Sequence, residues 1–146
     1  MSASNSFETD ILKLVFQNTN FANIGDATGL RGSTAAGSFY ISLHTADPGE
    51  AGTAVTNETA YTNYARVAVA RSAAGFTVSG SNLSNAAAVT FPTCGATGAT
   101  ITHFGIVETA SGAGALHMSA ALTSSLAVSN GITPSFAIGA LDVDVE

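Results

Sequence analysis

The spacing of hydrophobic positions changes along the chain, and the change divides it. Near the start, Phe7, Ile11, Leu14 and Val15 recur at three- and four-residue intervals, widened by Leu12 and Phe16. That is the period of one helix face. It predicts a helix over 7–17, opened by Asn5 or Ser6, with Glu8 at capping-box distance from Asn5. So broad a stripe must bury against the rest of the chain or a neighbouring subunit. Residues 1–6 are small and polar and read as a flexible arm. From 18 to 38 the period is lost. Gly25, Gly29, Gly32 and Gly37 punctuate an irregular excursion. Phe21, Ile24 and Leu30 are expected to anchor one short helical turn there.

Beyond residue 39 the period is two. Phe39, Ile41 and Leu43 alternate with Tyr40, Ser42 and His44, which predicts a strand with His44 on its solvent face. Asp47-Pro48-Gly49-Glu50 reads as a type II turn, because Pro48 presets one φ and Gly49 accepts a positive one. A polar loop over 51–63 follows, then a second alternating run over 64–71. Shorter strands are expected at Phe76–Val78 and Val89–Phe91, and a clear one over 101–108. A hairpin loop at 111–114 leads to short strands at 115–118 and 126–128, and Asn130-Gly131 marks a turn. In the last segment Phe136 and Ile138 are even-numbered, whereas Leu141, Val143 and Val145 are odd. This parity switch predicts a β-bulge near Gly139-Ala140. The expected fold is mainly β: a single β-sandwich or small barrel with an N-terminal α-helix, in one domain over 7–146 with its β core at 39–146. No fixed period repeats, so the chain is a poor candidate for a fibre shaft.

Composition narrows the function. Charged residues are 10% of the chain, against roughly 25% in an average globular protein. A neutral, hydroxyl-rich surface of this kind is easily covered by identical neighbours, since few charges need desolvating. Net charge is −6 with four basic residues, which excludes a nucleic-acid footprint and attraction to anionic membranes. No apolar run approaches the roughly 18 residues of a membrane span. MSASNSFETD has neither a basic nor an apolar signal region, so synthesis in the cytoplasm is expected. Cys94 is the one cysteine, so no internal disulfide is possible.

Candidate chemistry is sparse. His44 with Asp47, and His103 with His117 and Glu108, have metal-ligand residue types but incomplete sets. Asp142, Asp144 and Glu146 alternate along one face and read as the wet side of an edge strand. Cys94 has no adjacent base, and no serine sits in Gly-x-Ser-x-Gly. No catalytic, cofactor or metal site is predicted, and the chain is not expected to be an enzyme. Arg66 and Arg71 are expected to pair at the surface with Glu50, Glu58 or a partner's acid, each pair contributing roughly 0–1 kcal/mol.

Three blocks are distinctive together: FYISLHTADPGEAGT (39–53), YTNYARVAVAR (61–71) and AVTFPTCGATGATITHFGIVETASG (88–112). With the closing NGITPSFAIGALDV (130–143), the chain resembles small virion structural proteins of tailed bacteriophages, a group of tail-fibre-like and capsid decoration (cement) proteins. The resemblance implies a virion structural protein. Because the chain is short and lacks a shaft repeat, the leading expectation is a decoration protein on the capsid surface. It would form a homotrimer at three-fold positions, with the major capsid protein as partner. The alternative is a tail or tail-fibre-associated component at a fibre base or tip, active in host adsorption. A third reading is a sugar-binding module using Tyr40, Tyr61 and Tyr64. The expected contact residues are Phe7, Ile11 and Leu14 of the helix, with Asp47, Pro48, Glu50, Glu58, Tyr61, Tyr64 and Arg66.

Overall fold

A computed structural model describes residues 3–25 and 29–145. The chain is mainly β with an N-terminal helix. In order the elements are α1 (Asn5–Phe16), β1 (Ser38–His44), β2 (Val67–Ala70), β3 (Phe76–Ser79), β4 (Asn82–Asn85), β5 (Val89–Thr90), β6 (Ala99–Val107), β7 (Leu116–Val128), β8 (Ser135–Phe136) and β9 (Asp142–Asp144). The strands form sheets of order β2-β1-β6-β7, β3-β4-β9 and β5-β8. The chain falls into two compact units. One takes Met1–Ser38, Val69–Ala87 and Ile138–Glu146; the other takes Phe39–Ala68 and Ala88–Ala137.

In the first unit, α1 begins two residues earlier than its pattern suggests. Ser4 holds an extended backbone and its Oγ accepts from Phe7 N at 3.4 Å, so Ser4 is the cap, and Asn5 and Ser6 lie within the helix. The expected arm therefore keeps only residues 3 and 4 as irregular chain, residues 1 and 2 lying outside the described part. Leu12 and Phe16, one turn apart, are each 2% exposed. Phe16 meets Phe76 of β3 edge to face at 5.5 Å. At the other end of the helix, Arg71 Nη2 donates to Leu14 O at 2.7 Å and Nε donates to Val15 O. Both are carbonyls that a helix end leaves without an intrahelical partner.

The helical turn expected in the excursion is absent among the described residues. Phe21 and Leu30 instead exchange two backbone bonds of 2.9 Å as an isolated antiparallel bridge. Ile24 and Leu30 stay exposed while Phe21 is buried, so only one of the three anchors the segment. Strand β4, Asn-Leu-Ser-Asn, carries a single large apolar residue and gives no period-two signal. Pairing with β3 on one side and β9 on the other fixes it. The parity switch near Gly139 is not a bulge. β8 pairs with β5 and β9 with β4, so the switch marks the chain leaving one sheet and joining another, with Gly139 at φ +72°.

In the second unit, β1 lies inside the four-stranded sheet and pairs with β6 from Tyr40↔Val107 to His44↔His103. Ile41, Ser42, Leu43 and His44 are all buried, so the second half of β1 has no solvent face and His44, expected outside, is fully enclosed. A strand covered on both faces defeats the alternation argument. β7 is one strand of 13 residues where two short ones were expected. Its centre, Ser119–Ser125, is mostly Ala, Ser and Thr with Leu122 as the one large apolar residue, and this hides the continuity. β2 is shorter than the 64–71 run, because residues 64–66 leave the ladder.

Candidate functional site

The most heavily bonded polar cluster among the described residues of the second unit grows from the loop after β1. Asp47 Oδ1 accepts from Gly49 N at 2.8 Å, and Gly49 takes φ +68° in the expected turn. Asn57 Nδ2 donates to Asp47 O at 2.8 Å, while Asn57 O accepts from Thr45 N at 2.9 Å. The loop is thereby folded back along the end of β1. Thr59 N donates to Leu43 O at 2.9 Å, which sets Glu58 opposite His44.

Glu58 then receives three side-chain bonds. Arg66 Nε donates to Oε1 at 2.6 Å, Arg66 Nη2 to Oε2 at 2.7 Å, and the Tyr64 hydroxyl to Oε1 at 2.9 Å. The rest of the guanidinium is also engaged. Nη1 reaches Thr109 O and Oγ1, each at 2.9 Å, and Nη2 reaches Gly112 O at 2.9 Å and Ala54 O at 3.3 Å. Arg66 is 8% exposed. The expected surface pair is therefore a buried two-point ion pair that ties together loop residues 54–66 and 109–112. Its hydrogen bond to Glu58 holds the Arg66 pKa above its ordinary value. Tyr64 uses its oxygen twice, accepting from Leu43 N at 3.0 Å, and burial raises its pKa. Tyr61 is 2% exposed and donates to Pro92 O at 2.9 Å; burial pushes its pKa up to about 12.

His44 lies beside this cluster. Nδ1 sits 2.8 Å from Thr56 O, and a carbonyl only accepts, so Nδ1 carries the proton. Nε2 is then free to accept from Ser42 Oγ at 2.8 Å. Burial lowers the pKa of this neutral imidazole.

A cleft of about 530 Å³ opens along Glu58–Arg66 and Ala110–Gly112. Its two charges, Glu58 and Arg66, cancel. Thr59 Oγ1 is buried in its lining without a hydrogen-bond partner among the described residues. The aromatic rings are packed internally: Tyr61 meets Tyr64 at 5.3 Å, and Tyr64 stacks on Phe91 at 6.3 Å. A buried Tyr61 offers no face on which a sugar ring could stack. The arrangement braces loops, and its one serine–histidine contact, Ser42 to His44, is fully buried where no substrate reaches it.

The other expected clusters separate. The register sets His103 opposite His44 and Ala121, away from His117, whose Nε2 is 3.7 Å from Glu108. Asp142 and Asp144 accept from the same Asn82 amide at 2.8 and 3.2 Å, and Glu146 lies outside the described residues. No group of three metal-ligating side chains occurs among the described residues. Of the expected contact residues, Phe7, Asp47 and Glu50 are exposed; Ile11, Leu14, Glu58 and Tyr64 are half-buried; Pro48, Tyr61 and Arg66 are buried. Sequence reasoning missed the hub's backbone partners at Ala54, Thr109 and Gly112, and the role of Arg71 at the helix end. The available signal was two arginines standing in otherwise neutral, apolar text.

No curated protein matches the chain. A family model described as podophage GP4 fiber I protein gp80 matches residues 2–144, nearly the whole length. The chain therefore belongs to the podophage GP4 fiber I protein family, whose members are phage fibre structural proteins and not enzymes.

Proposed function

We propose that this protein is a bracing or terminal piece of a podophage tail fibre, at a fibre base or tip, acting in attachment to the host. The observation that carries this reading is the family match together with a polar cluster whose strong donors are spent on the chain's own loops. Such a cluster holds its own loops in place, which serves positioning and not reaction. Capsid decoration, the leading expectation from the sequence, has no support from the family. The homotrimer was inferred from three-fold capsid positions, and without them nothing in the role sets a subunit number. Contacts with other virion proteins would use the exposed members of the expected set, Phe7 in α1 and Asp47 and Glu50 in the loop after β1. The test is a reconstruction of particles carrying a tagged copy of this chain, with adsorption measured for particles lacking it. A few copies on the tail and slower adsorption are expected. Several hundred copies on the head, with adsorption unchanged, would overturn the reading in favour of decoration.

A further inference from the structure

Asn130-Gly131 is the one Asn-Gly pair in the chain, and it occupies the middle of the turn that follows β7. Ile132 N donates to Ser129 O at 2.9 Å and closes the turn, and Gly131 alone of the central pair has a positive φ, at +83°. A positive φ at only the second central residue is the type II pattern. Beyond the turn the chain runs antiparallel to residues 89–94. Cys94 N donates to Ile132 O at 2.8 Å, Phe91 N donates to Pro134 O at 2.9 Å, and β5 pairs with β8. Gly131 N makes the last rung, donating to Cys94 O at 2.9 Å, and Cys94 is buried. The side-chain amide of Asn130 is held by nothing comparable. The residue is exposed, and its amide has no hydrogen-bond partner among the described residues.

An Asn-Gly pair carries its own nucleophile. The glycine nitrogen attacks the asparagine Cγ, a C–N bond forms, ammonia leaves, and water reopens the resulting succinimide to aspartate or isoaspartate. Glycine permits the attack because it has no Cβ to shield its nitrogen. In this turn the two reactants are unequally held. The Asn130 amide is open to solvent, but the Gly131 N–H is engaged by the carbonyl of a buried residue. A type II turn also sets ψ of its first central residue at about +120°, whereas ring closure needs the opposite sign, with the nitrogen swung toward Cγ. We propose that Asn130-Gly131 is a deamidation site gated by this turn. While the last rung is closed the pair does not react, and each opening of the rung exposes it to reaction. The step runs one way. Either product adds a negative charge to a chain already at −6. Isoaspartate also puts one more carbon into the main chain, so Gly131 N no longer returns to Cys94 O in register. The turn thus keeps a covalent record of having opened, wherever the protein sits in the virion.

The test is incubation of the purified full chain at mildly alkaline pH, folded and in concentrated urea, with peptide mass mapping for the gain of nearly one dalton at Asn130. The folded chain is expected to deamidate there at least about tenfold more slowly than the unfolded one, because reaction waits on local opening. Urea is then raised in steps below the unfolding transition, and hydrogen exchange of the Gly131 amide is followed beside the mass gain. The two rates are expected to rise together. Ile132→Pro removes the N–H that closes the turn and is expected to deamidate faster than wild type while keeping its circular dichroism. The urea series stands whether or not that variant folds. A folded wild type that reacts as fast as the unfolded chain, a mass gain that stays flat while Gly131 exchange quickens, or a folded Ile132→Pro that reacts no faster overturns the proposal.

Discussion

Arg66 grips Glu58 at two points, 2.6 Å from Nε to Oε1 and 2.7 Å from Nη2 to Oε2, in a place where the arginine is 8% exposed. Buried pairs of this kind contribute little net stability when exchanged whole for apolar groups, but removing one partner strands the other charge. Arg66→Met is therefore expected to destabilise the chain by about 3–5 kcal/mol, since it also frees Thr109 O and Gly112 O. Arg66→Lys is expected to recover only part of the loss, because one ammonium cannot reproduce the fork. Urea unfolding of both variants measures this. A cost under about 1 kcal/mol for Arg66→Met would mean that water already reaches the pair.

Much of the architecture was legible because helix and strand periods survive in text with a clear apolar face. The helix, β1, β3, β6 and the turn at Gly49 all announce themselves. What was illegible has a common physical cause. β4 is held by its neighbours' backbone bonds and needs no apolar signal of its own, and β7 is continuous across a register shift in its pairing with β6 that no residue pattern marks. His44 was misplaced because alternation tells the two faces of a strand apart only when one of them is wet. The hub was half legible: Glu58, Tyr64 and Arg66 stood out as residue types, but their burial depends on loop carbonyls more than forty residues away in sequence at Thr109 and Gly112. No local pattern encodes a meeting of that kind.

The second arginine gives a local prediction. Arg71 Nη2 binds Leu14 O at 2.7 Å, Nε binds Val15 O, and Nη1 binds Ser33 Oγ at 3.0 Å. A cation on the last carbonyls of a helix also complements its dipole. Arg71→Met keeps the apolar stem but loses these donors. It is expected to cost about 1–2 kcal/mol, from charge-assisted hydrogen bonds given up at a helix end. Hydrogen exchange should quicken in the last turn of α1 and leave its first turn, capped by Ser4, unchanged. Uniform loss of protection along α1 would instead mean that the helix docks or detaches as one piece.

His44 supplies the pH dependence. Its imidazole is fully enclosed between Ser42 and Thr56, and burial lowers its pKa from the ordinary 6.5. The unfolded chain therefore binds this proton at higher pH than the folded chain does. Stability rises with pH wherever the unfolded state holds more protons, so the contribution of neutral His44 is complete above about 6.5 and is lost as pH falls toward the depressed value. Protonation would also oppose the bond from Ser42, because a charged ring has no acceptor nitrogen. Chemical denaturation in steps from pH 7.5 to pH 5 should show stability falling below about 6.5. His44→Gln is expected to be less stable at pH 7 yet to have a flatter profile over that window. If the variant loses stability on acidification as steeply as wild type, other groups carry the effect and the enclosed ring does not sense pH.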